Sequence, residues 1–319
     1  MMDLLASIPE SFLEQVSGAR GGMEWIEPDQ MDALIARLPQ APTCAPGGSA
    51  ANTVCALARL GMPVALLGKM GRDDEAIAYK NAFALIGGHE RCFKYMDTQP
   101  TGRCLSLITP DGERTMRTDL GAAKYIDVDD VSTADFQNCR HVHLEGYALH
   151  NPEFVLHVLK TAKACGADTS VDLASFEVVE SVRDLLPDLL RSHVDMVFAN
   201  QDEARAFAQD DDPEKGLEQL AACCPVAAVK LGAEGAWLQS GTERVRVQGV
   251  AVDTVVDTTG AGDCWAAGLL FGLMTGKTLE ESGQAASMIG AATVSCLGAS
   301  PDEAKWQEIR SQLNINPTL

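Results

Sequence analysis

Two hydrophobic patterns alternate along most of this chain: short apolar runs of strand length, and longer stretches in which apolar residues recur at helical spacing. Ser49 to Leu60 reads as a helix capped by Ser49 and stopped by Gly61, followed by an apolar strand from Val64 to Leu67. Further on come a strand His141 to Leu144, a helix Glu153 to Cys165 stopped by Gly166, and a strand Thr169 to Leu173. A helix Glu177 to Arg191, a strand Val194 to Ala199 and a strand Val226 to Leu231 continue the alternation. A hairpin around Ser240-Gly241, an apolar strand-like run Val250 to Val256, and helices starting at Gly262, Leu279 and Asp302 complete it. Helices between short buried strands predict an α/β fold, a doubly wound and mainly parallel sheet flanked by helices.

One stretch breaks the rhythm. Cys104 to Thr109 alternates as a strand, Pro110-Asp111-Gly112 turns the chain, and Glu113 to Thr118 runs back as its partner. With Gly21 to Ile26 this hairpin is expected to form a small sheet outside the main layers, so that segments 18–27 and 98–120 are insertions in a single domain spanning 1–319. The chain contains no low-complexity linker and no internal repeat.

Composition narrows the partners. A formal charge of −20 opposes binding to nucleic acid, whose affinity rests on Lys and Arg contacts to phosphate. The longest apolar run, Trp265 to Met274, is shorter than the roughly 18 residues a membrane crossing requires and is broken by glycines, so a buried helix is expected. Met1-Met2-Asp3-Leu4-Leu5 carries no basic region of a secretion signal. The ten cysteines are scattered without a Cys-x-x-Cys pair, which suits reduced thiols and a cytoplasmic protein.

The most informative segment is Asp257-Thr258-Thr259-Gly260-Ala261-Gly262-Asp263, between an apolar run and a long apolar helix. Glycines at a helix mouth let backbone N–H groups approach a ligand, and the helix N-terminus carries partial positive charge, so the turn suits an anion such as a phosphoryl group. Asp263, in the first helical turn, is placed to take the proton from an attacking hydroxyl. The simpler reading is a Gly-rich turn with an acidic helix start. Asp172, Asn200, Lys230 and Asp257 each fall near the C-terminal end of an expected strand, the edge at which open α/β sheets bind ligands.

Gly47-Gly48-Ser49-Ala50-Ala51-Asn52-Thr53, then Asn200-Gln201-Asp202-Glu203, Lys230-Leu231-Gly232 and the Asp257 to Asp263 turn occur in the order and spacing of one known family. Over nearly its whole length the chain resembles the ribokinase-like (PfkB) sugar and nucleoside kinases. Asp111 to Met116, Leu120-Gly121-Ala122 and Glu145-Gly146-Tyr147 are similar to the adenosine-kinase-like branch. The resemblance implies an ATP- and Mg²⁺-dependent kinase that moves the γ-phosphoryl group to a primary hydroxyl of a small sugar. Adenosine or another nucleoside is the alternative acceptor, and a non-catalytic ligand sensor is the reading from another class, which the intact Asp263 opposes.

By the same resemblance Asp263 is the catalytic base, with Gly260, Ala261 and Gly262 as the anion hole. Asn200 and Glu203 organise Mg²⁺ through water, although Asn200 also suits a plain helix cap. Lys230, Gly232, Thr258 and Thr259 lie along the nucleotide, and Asp257 begins a K⁺ site of the kind many members carry. Gly47-Gly48 forms a hinge, Asn52 and Asp3 contact acceptor hydroxyls, the hairpin is a lid over the acceptor, and a homodimer through the lid is the implied assembly. The strand that precedes the acceptor aspartate in the family is missing before Asp3, so Asp3 is expected on a frayed terminus.

Other motifs are weaker. Gly272 to Thr278 has three residues between its glycines where a phosphate-binding loop needs four, so Gly276 is read as a helix stop. His141 and His143 share a strand face but lack further ligands at zinc spacing. Asp210-Asp211-Asp212-Pro213 reads as a solvated loop capping the next helix.

Overall fold

The computed structural model describes residues 1–111 and 113–315, which fall into two units, Met1–Ile126 and Asp127–Leu319. The first holds strands β1 Met2–Ser7, β2 Met23–Trp25, β3 Thr43–Pro46, β4 Val64–Ala65, β5 Gly68–Met70, β6 Gly88–His89, β7 Phe93–Tyr95, β8 Thr101–Ile108 and β9 Arg114–Gly121. Its helices are α1 Glu10–Leu13, α2 Pro28–Ile35, α3 Ser49–Arg59 and α4 Asp74–Leu85. Five strands pair in the order β2-β9-β8-β1-β3. Side chains alternate across this sheet, so Leu4, Ala6, Leu105 and Leu107 point to one face and form a core with Met31 and Leu34 of α2.

The expected hairpin is present, with Ile108 opposite Arg114, and β2 is its third strand. The sheet is distinct from that of the second unit, as expected, but it is larger than the three expected segments, because β1 pairs parallel with β8 and antiparallel with β3. The same pairing corrects the expectation of a frayed Asp3, which lies opposite Cys104 on one side and Ala45 on the other. A ladder on both edges holds a strand from its second residue onward. Ser49 is not the cap of α3: Gly48, at φ 107°, is the N-cap, and no side chain caps this helix.

The second unit holds β10 His141–Glu145, α5 Pro152–Ala164, β11 Asp168–Asp172, α6 Phe176–Ser181, α7 Leu186–His193, β12 Met196–Asn200 and α8 Gln201–Ala208. It continues with α9 Pro213–Ala221, β13 Val226–Lys230, β14 Ala236–Ser240, β15 Glu243–Val247, α10 Ala261–Met274, α11 Leu279–Val294 and α12 Glu303–Gln312. Strands β10 to β13 are parallel neighbours in chain order, each joined to the next through helix, and β14 and β15 add an antiparallel edge. This is the α/β architecture expected, a mainly parallel sheet with an antiparallel edge.

The long apolar run becomes α10, buried from Cys264 to Gly272. It packs so closely on α11 that a Cβ on Gly268 would lie 2.6 Å from Ala286 Cα, and one on Gly272 2.6 Å from Ser282 Cα. Among the described residues no helix is long and apolar enough to cross a membrane.

The strand expected from Val64 to Leu67 stops at Ala65, and two larger departures follow. Val250 to Val256 forms no strand; it runs as irregular backbone with Val250, Val255 and Val256 exposed. An apolar run has strand propensity, but β15 ends at Val247 and no neighbour offers the run a ladder. The helix expected from Glu177 to Arg191 is two helices, because Pro187 sits in the first turn of α7, where its missing N–H is harmless, and would break a helix continuing from α6.

Candidate active site

Strands β10, β11, β12 and β13 end at Glu145, Asp172, Asn200 and Lys230, with Glu145 opposite Asp172 and Asn200 opposite Lys230. Four parallel strands in register thus deliver four polar side chains to one edge. Two of them pair: Lys230 Nζ lies 2.6 Å from Asp172 Oδ2, and both side chains are largely buried. Burial alone would lower the Lys230 ammonium, but Asp172 and Glu203 prevail and hold it above its ordinary value.

Lys230 also reaches the mouth of α10. A Cβ built on Gly262 would lie 3.3 Å from Lys230 Nζ, so the glycine leaves the space the ammonium uses. The turn before α10 is held by its own residues. Asp257 is buried and its carboxylate accepts from Thr259 N–H at 3.0 Å and from Gly298 N–H at 2.6 Å, fastening the turn to the chain beyond α11. Gly260, the N-cap, is left-handed at φ 68°, and a Cβ there would meet Ala299 at 2.6 Å. Glycine is therefore required twice over at this position.

The first helical hydrogen bond runs from Cys264 N–H to Gly260 C=O at 2.8 Å, so the N–H groups of Gly262 and Asp263 lie ahead of the ladder. Ala261 N–H closes a turn onto Thr258 C=O at 3.2 Å. Asp263 stands in this first turn, half-buried, where its charge acts on Lys230 and on the Tyr147 phenol. Burial and then the carboxylates Glu145, Glu203 and Asp263 push that phenol up to about 12.

Asn200 and Glu203 form a reciprocal cap at the start of α8. Asn200 Oδ1 accepts from Glu203 N–H at 2.9 Å, while the Glu203 carboxylate takes Asn200 N–H at 2.7 Å and Asn200 Nδ2 at 2.6 Å. Glu203 is almost wholly buried, and burial pushes its carboxyl up to about 7. Helix cap and ion site are thus compatible readings of the same pair. Among the described residues no three His, Cys, Asp or Glu side chains form a metal cage. An oxygen-bearing pair beside an anion turn is the donor set that suits Mg²⁺, which keeps waters and shares its remaining positions with phosphate oxygens.

In the first unit Asp3, Gly47, Gly48 and Asn52 also come together. The Asp3 carboxyl occupies the space of a Gly47 side chain, since a Cβ there would lie 2.0 Å from Asp3 Oδ1. Gly47 N–H donates to Met1 C=O at 2.9 Å, and Tyr79 Oη donates to Gly47 C=O at 3.3 Å. Asn52 follows within the first turn of α3. Burial pushes the Asp3 carboxyl up to about 6.

The histidine pair is a strand feature. Ser170 Oγ lies 2.7 Å from His141 Nε2 and 2.8 Å from His143 Nδ1, and burial pushes both imidazoles down to about 4. Sequence reasoning placed Asp172 on the rim without a role. Its pairing with Lys230 is signalled only by the equivalent positions of the two residues at strand ends. The latch from Asp257 to Gly298 had no local signal, because it joins residues 41 apart.

The profile of the pfkB family carbohydrate kinases matches residues 25–306. The chain is 34% identical to the adenosine kinase from Sinorhizobium meliloti, covering 98% of this chain and 96% of that one with a TM-score of 0.88. It is 31% identical to a probable sugar kinase protein from Rhizobium etli CFN 42, covering 99% and 96% with a TM-score of 0.88. It is also 27% identical to the 2-dehydro-3-deoxygluconokinase of Bacillus subtilis (strain 168), over 85% of this chain and 87% of that protein. With the motifs in order and the match spanning most of its length, the chain belongs to the pfkB family of carbohydrate kinases, a family of phosphotransferases.

Proposed function

We propose that this protein transfers the γ-phosphoryl group of ATP to a primary hydroxyl of a small sugar or of the sugar of a nucleoside, with Asp263 as general base. The observation that carries the reading is the α10 mouth: a left-handed glycine cap, N–H groups ahead of the helical ladder, the Lys230 ammonium beside Gly262, and a carboxylate in the same turn. Phosphoryl transfer is mainly positioning and charge stabilisation, and this turn offers both without moving a side chain far.

In this reading the Gly260 backbone and the N–H groups of Gly262 and Asp263, which lie ahead of the helical ladder, face the transferring group, while Ala261 N–H holds the turn through Thr258 C=O. Lys230 adds a cation whose hold on Asp172 keeps it charged while buried. Thr258, Thr259 and Gly232 border the nucleotide, and the exposed side chains of Val250, Val255 and Val256 offer an apolar wall to its base. Asp263 accepts the hydroxyl proton as phosphorus moves onto the oxygen. Asp3 and Asn52 bind acceptor hydroxyls, for which a buried carboxyl is suited, and the Gly47-Gly48 backbone, with Gly47 tied to Met1 and Tyr79, shapes the space beside them. Mg²⁺, which is bound together with ATP in a Ribokinase II structure from E. coli that shares this fold, would be held through water by Asn200 and Glu203 and would supply charge neutralisation to the phosphates. Asp257 spends its carboxylate on two backbone N–H groups, so a K⁺ ion at this turn would rely on carbonyl oxygens as much as on Asp257. A non-catalytic sensor has no use for Asp263 beside an anion site.

The test is ATP turnover across a panel of sugars and nucleosides, with Mg²⁺ titrated for the parent and for Asn200→Ala. ADP release that depends on acceptor and Mg²⁺, with the variant needing severalfold more Mg²⁺, is the expected result. An unchanged Mg²⁺ titration leaves Asn200 as a helix cap alone, and ADP release indifferent to every acceptor contradicts the kinase assignment.

A further inference from the structure

Helix α4 turns an uncharged side to water. Its inner face is Ala76, Tyr79 and Phe83, and the two rings pack on Phe93 with centroids 6.0 and 5.5 Å from it. Tyr79 Oη also donates to Gly47 C=O at 3.3 Å, so the helix is fixed from within. The outward face is Ile77, Ala78, Asn81, Ala84 and Leu85, all exposed, with Ile77 at 58% and Leu85 at 87%. A surface helix ordinarily carries its charged residues on that side. Here they lie elsewhere: Asp74 and Glu75 in the first turn, where carboxylates suit the helix dipole, and Lys80 on the flank, paired with Glu90 at 2.9 Å.

The outward stripe reads the same in both directions. From Asn81 an alanine lies three residues away on either side, Ala78 and Ala84, and a branched apolar residue four away, Ile77 and Leu85. Spacings of three and four keep all five on one helix face. A two-fold axis through Asn81 therefore matches the stripe to itself: against an antiparallel copy, Ile77 meets Leu85 and Ala78 meets Ala84 in both halves of the contact. Self-complementarity of this sort is what a two-fold interface between identical chains requires. The alanines let two backbones approach, and paired Asn81 carboxamides at the axis can exchange N–H to O=C bonds, as a single asparagine sets register between paired helices.

Charge selects the same occupant. Two copies that each carry −20 repel, so a contact between them has to avoid carboxylates, and the five outward residues include none. They include no Lys or Arg either, which an anionic membrane surface would require. We propose that the outward face of α4 is the contact through which two copies of this chain associate, antiparallel about Asn81. The contact lies outside lid segments 18–27 and 98–120, uses residues of Met1–Ile126 alone and does not depend on the kinase reading. Ile77 to Leu85 spans about 12 Å of helix, a small patch against the ~800 Å² each partner gives to a standard interface, so a weak, concentration-dependent dimer is expected.

Sedimentation equilibrium of the full chain, from micromolar to near-millimolar concentration, tests this. The parent should pass from monomer to dimer. Leu85→Glu sets a carboxylate against Ile77 in both halves and should weaken association about 10-fold or more. Its melting temperature at low concentration should match the parent's, because the position is exposed. Adding Ile77→Lys brings an ammonium to each of those carboxylates only when the helices run antiparallel, and should recover about 3-fold or more of the loss. A second readout is geometric: under an added oxidant Asn81→Cys places two thiols at the axis and should yield a disulfide-linked dimer well above the level given by the parent, with its ten free cysteines, and by Asp74→Cys. A parent that stays monomeric to near-millimolar concentration overturns the proposal. So does a dimer that Leu85→Glu leaves intact, which puts the contact on another face, or a monomeric parent that binds phosphatidylcholine vesicles through Leu85. Association lost in Leu85→Glu, with no recovery from Ile77→Lys and no cross-link in Asn81→Cys, refutes the antiparallel arrangement.

Discussion

At the scale of single residues the account turns on charges that burial would expel unless they were answered. Lys230 and Asp172 answer each other at 2.6 Å on neighbouring strand ends. Removing one partner of a buried pair leaves the other uncompensated, a loss of about 3–5 kcal/mol in comparable pairs. Asp172→Asn is therefore expected to lower the melting temperature sharply, and the double change Asp172→Asn, Lys230→Met to recover much of it while losing affinity for ATP. Thermal melts of the three proteins, with and without ATP, check this. A double variant no more stable than Asp172→Asn would remove the pair from the account. His141, His143 and Glu203 have opposite signs in pH. The imidazoles, held down to about 4 by burial, favour the folded state above their unfolded value near 6.5, and that contribution fades as pH falls from 6.5 towards 4. The Glu203 carboxyl, pushed up by burial to about 7, contributes stability that is complete below 4.5 and is lost as pH rises through 7. Melting curves at pH 7 and pH 5 should show Glu203→Gln losing more stability on acidification than the parent, and His143→Gln losing less. The reverse ordering would mean these groups are not buried in the forms described.

At the scale of elements the decisive one is the turn into α10. Its conformation is fixed by Gly260 at φ 68° against Ala299 and by the Asp257 latch onto Gly298. Gly260→Ala places a side chain both in a left-handed conformation and into Ala299, which should cost about 1–3 kcal/mol and loosen the nucleotide site. Melting and ATP affinity should fall together; normal ATP affinity in a folded Gly260→Ala protein would separate the turn from nucleotide binding. Much of this region was legible in the sequence. Gly-rich spacing at a helix mouth has a local physical cause, and buried parallel strands read as apolar runs that end at their polar residue, as β11, β12 and β13 end at Asp172, Asn200 and Lys230. What was not legible depends on partners distant in the chain. Val250 to Val256 has the composition of a strand and lacks only a neighbour to pair with. Nothing local says which side Trp25 faces, and only the register with Thr118 shows that it is turned away from the core. Asp3 reads as terminal, and only its two neighbouring strands show that it is held.

At the scale of the whole molecule two sheets carry two kinds of polar group. The five-stranded sheet presents Asp3 and an apolar outer edge, and the six-stranded sheet presents the Lys230 rim and the α10 mouth. A formal charge of −20 leaves the chain poorly suited to polyanions, so the positive charge that meets ATP has to be local: the helix N-terminus and a lysine kept charged by Asp172. The central claim is that Asp263 performs the proton transfer at that mouth. The measurement that bears on it most directly compares kcat and ATP affinity for the parent and Asp263→Asn, a change that preserves shape and removes the base. A fall in kcat of roughly 10²–10⁴ with ATP affinity retained is the result the account predicts. Turnover within about 3-fold of the parent, at unchanged ATP affinity, would contradict it.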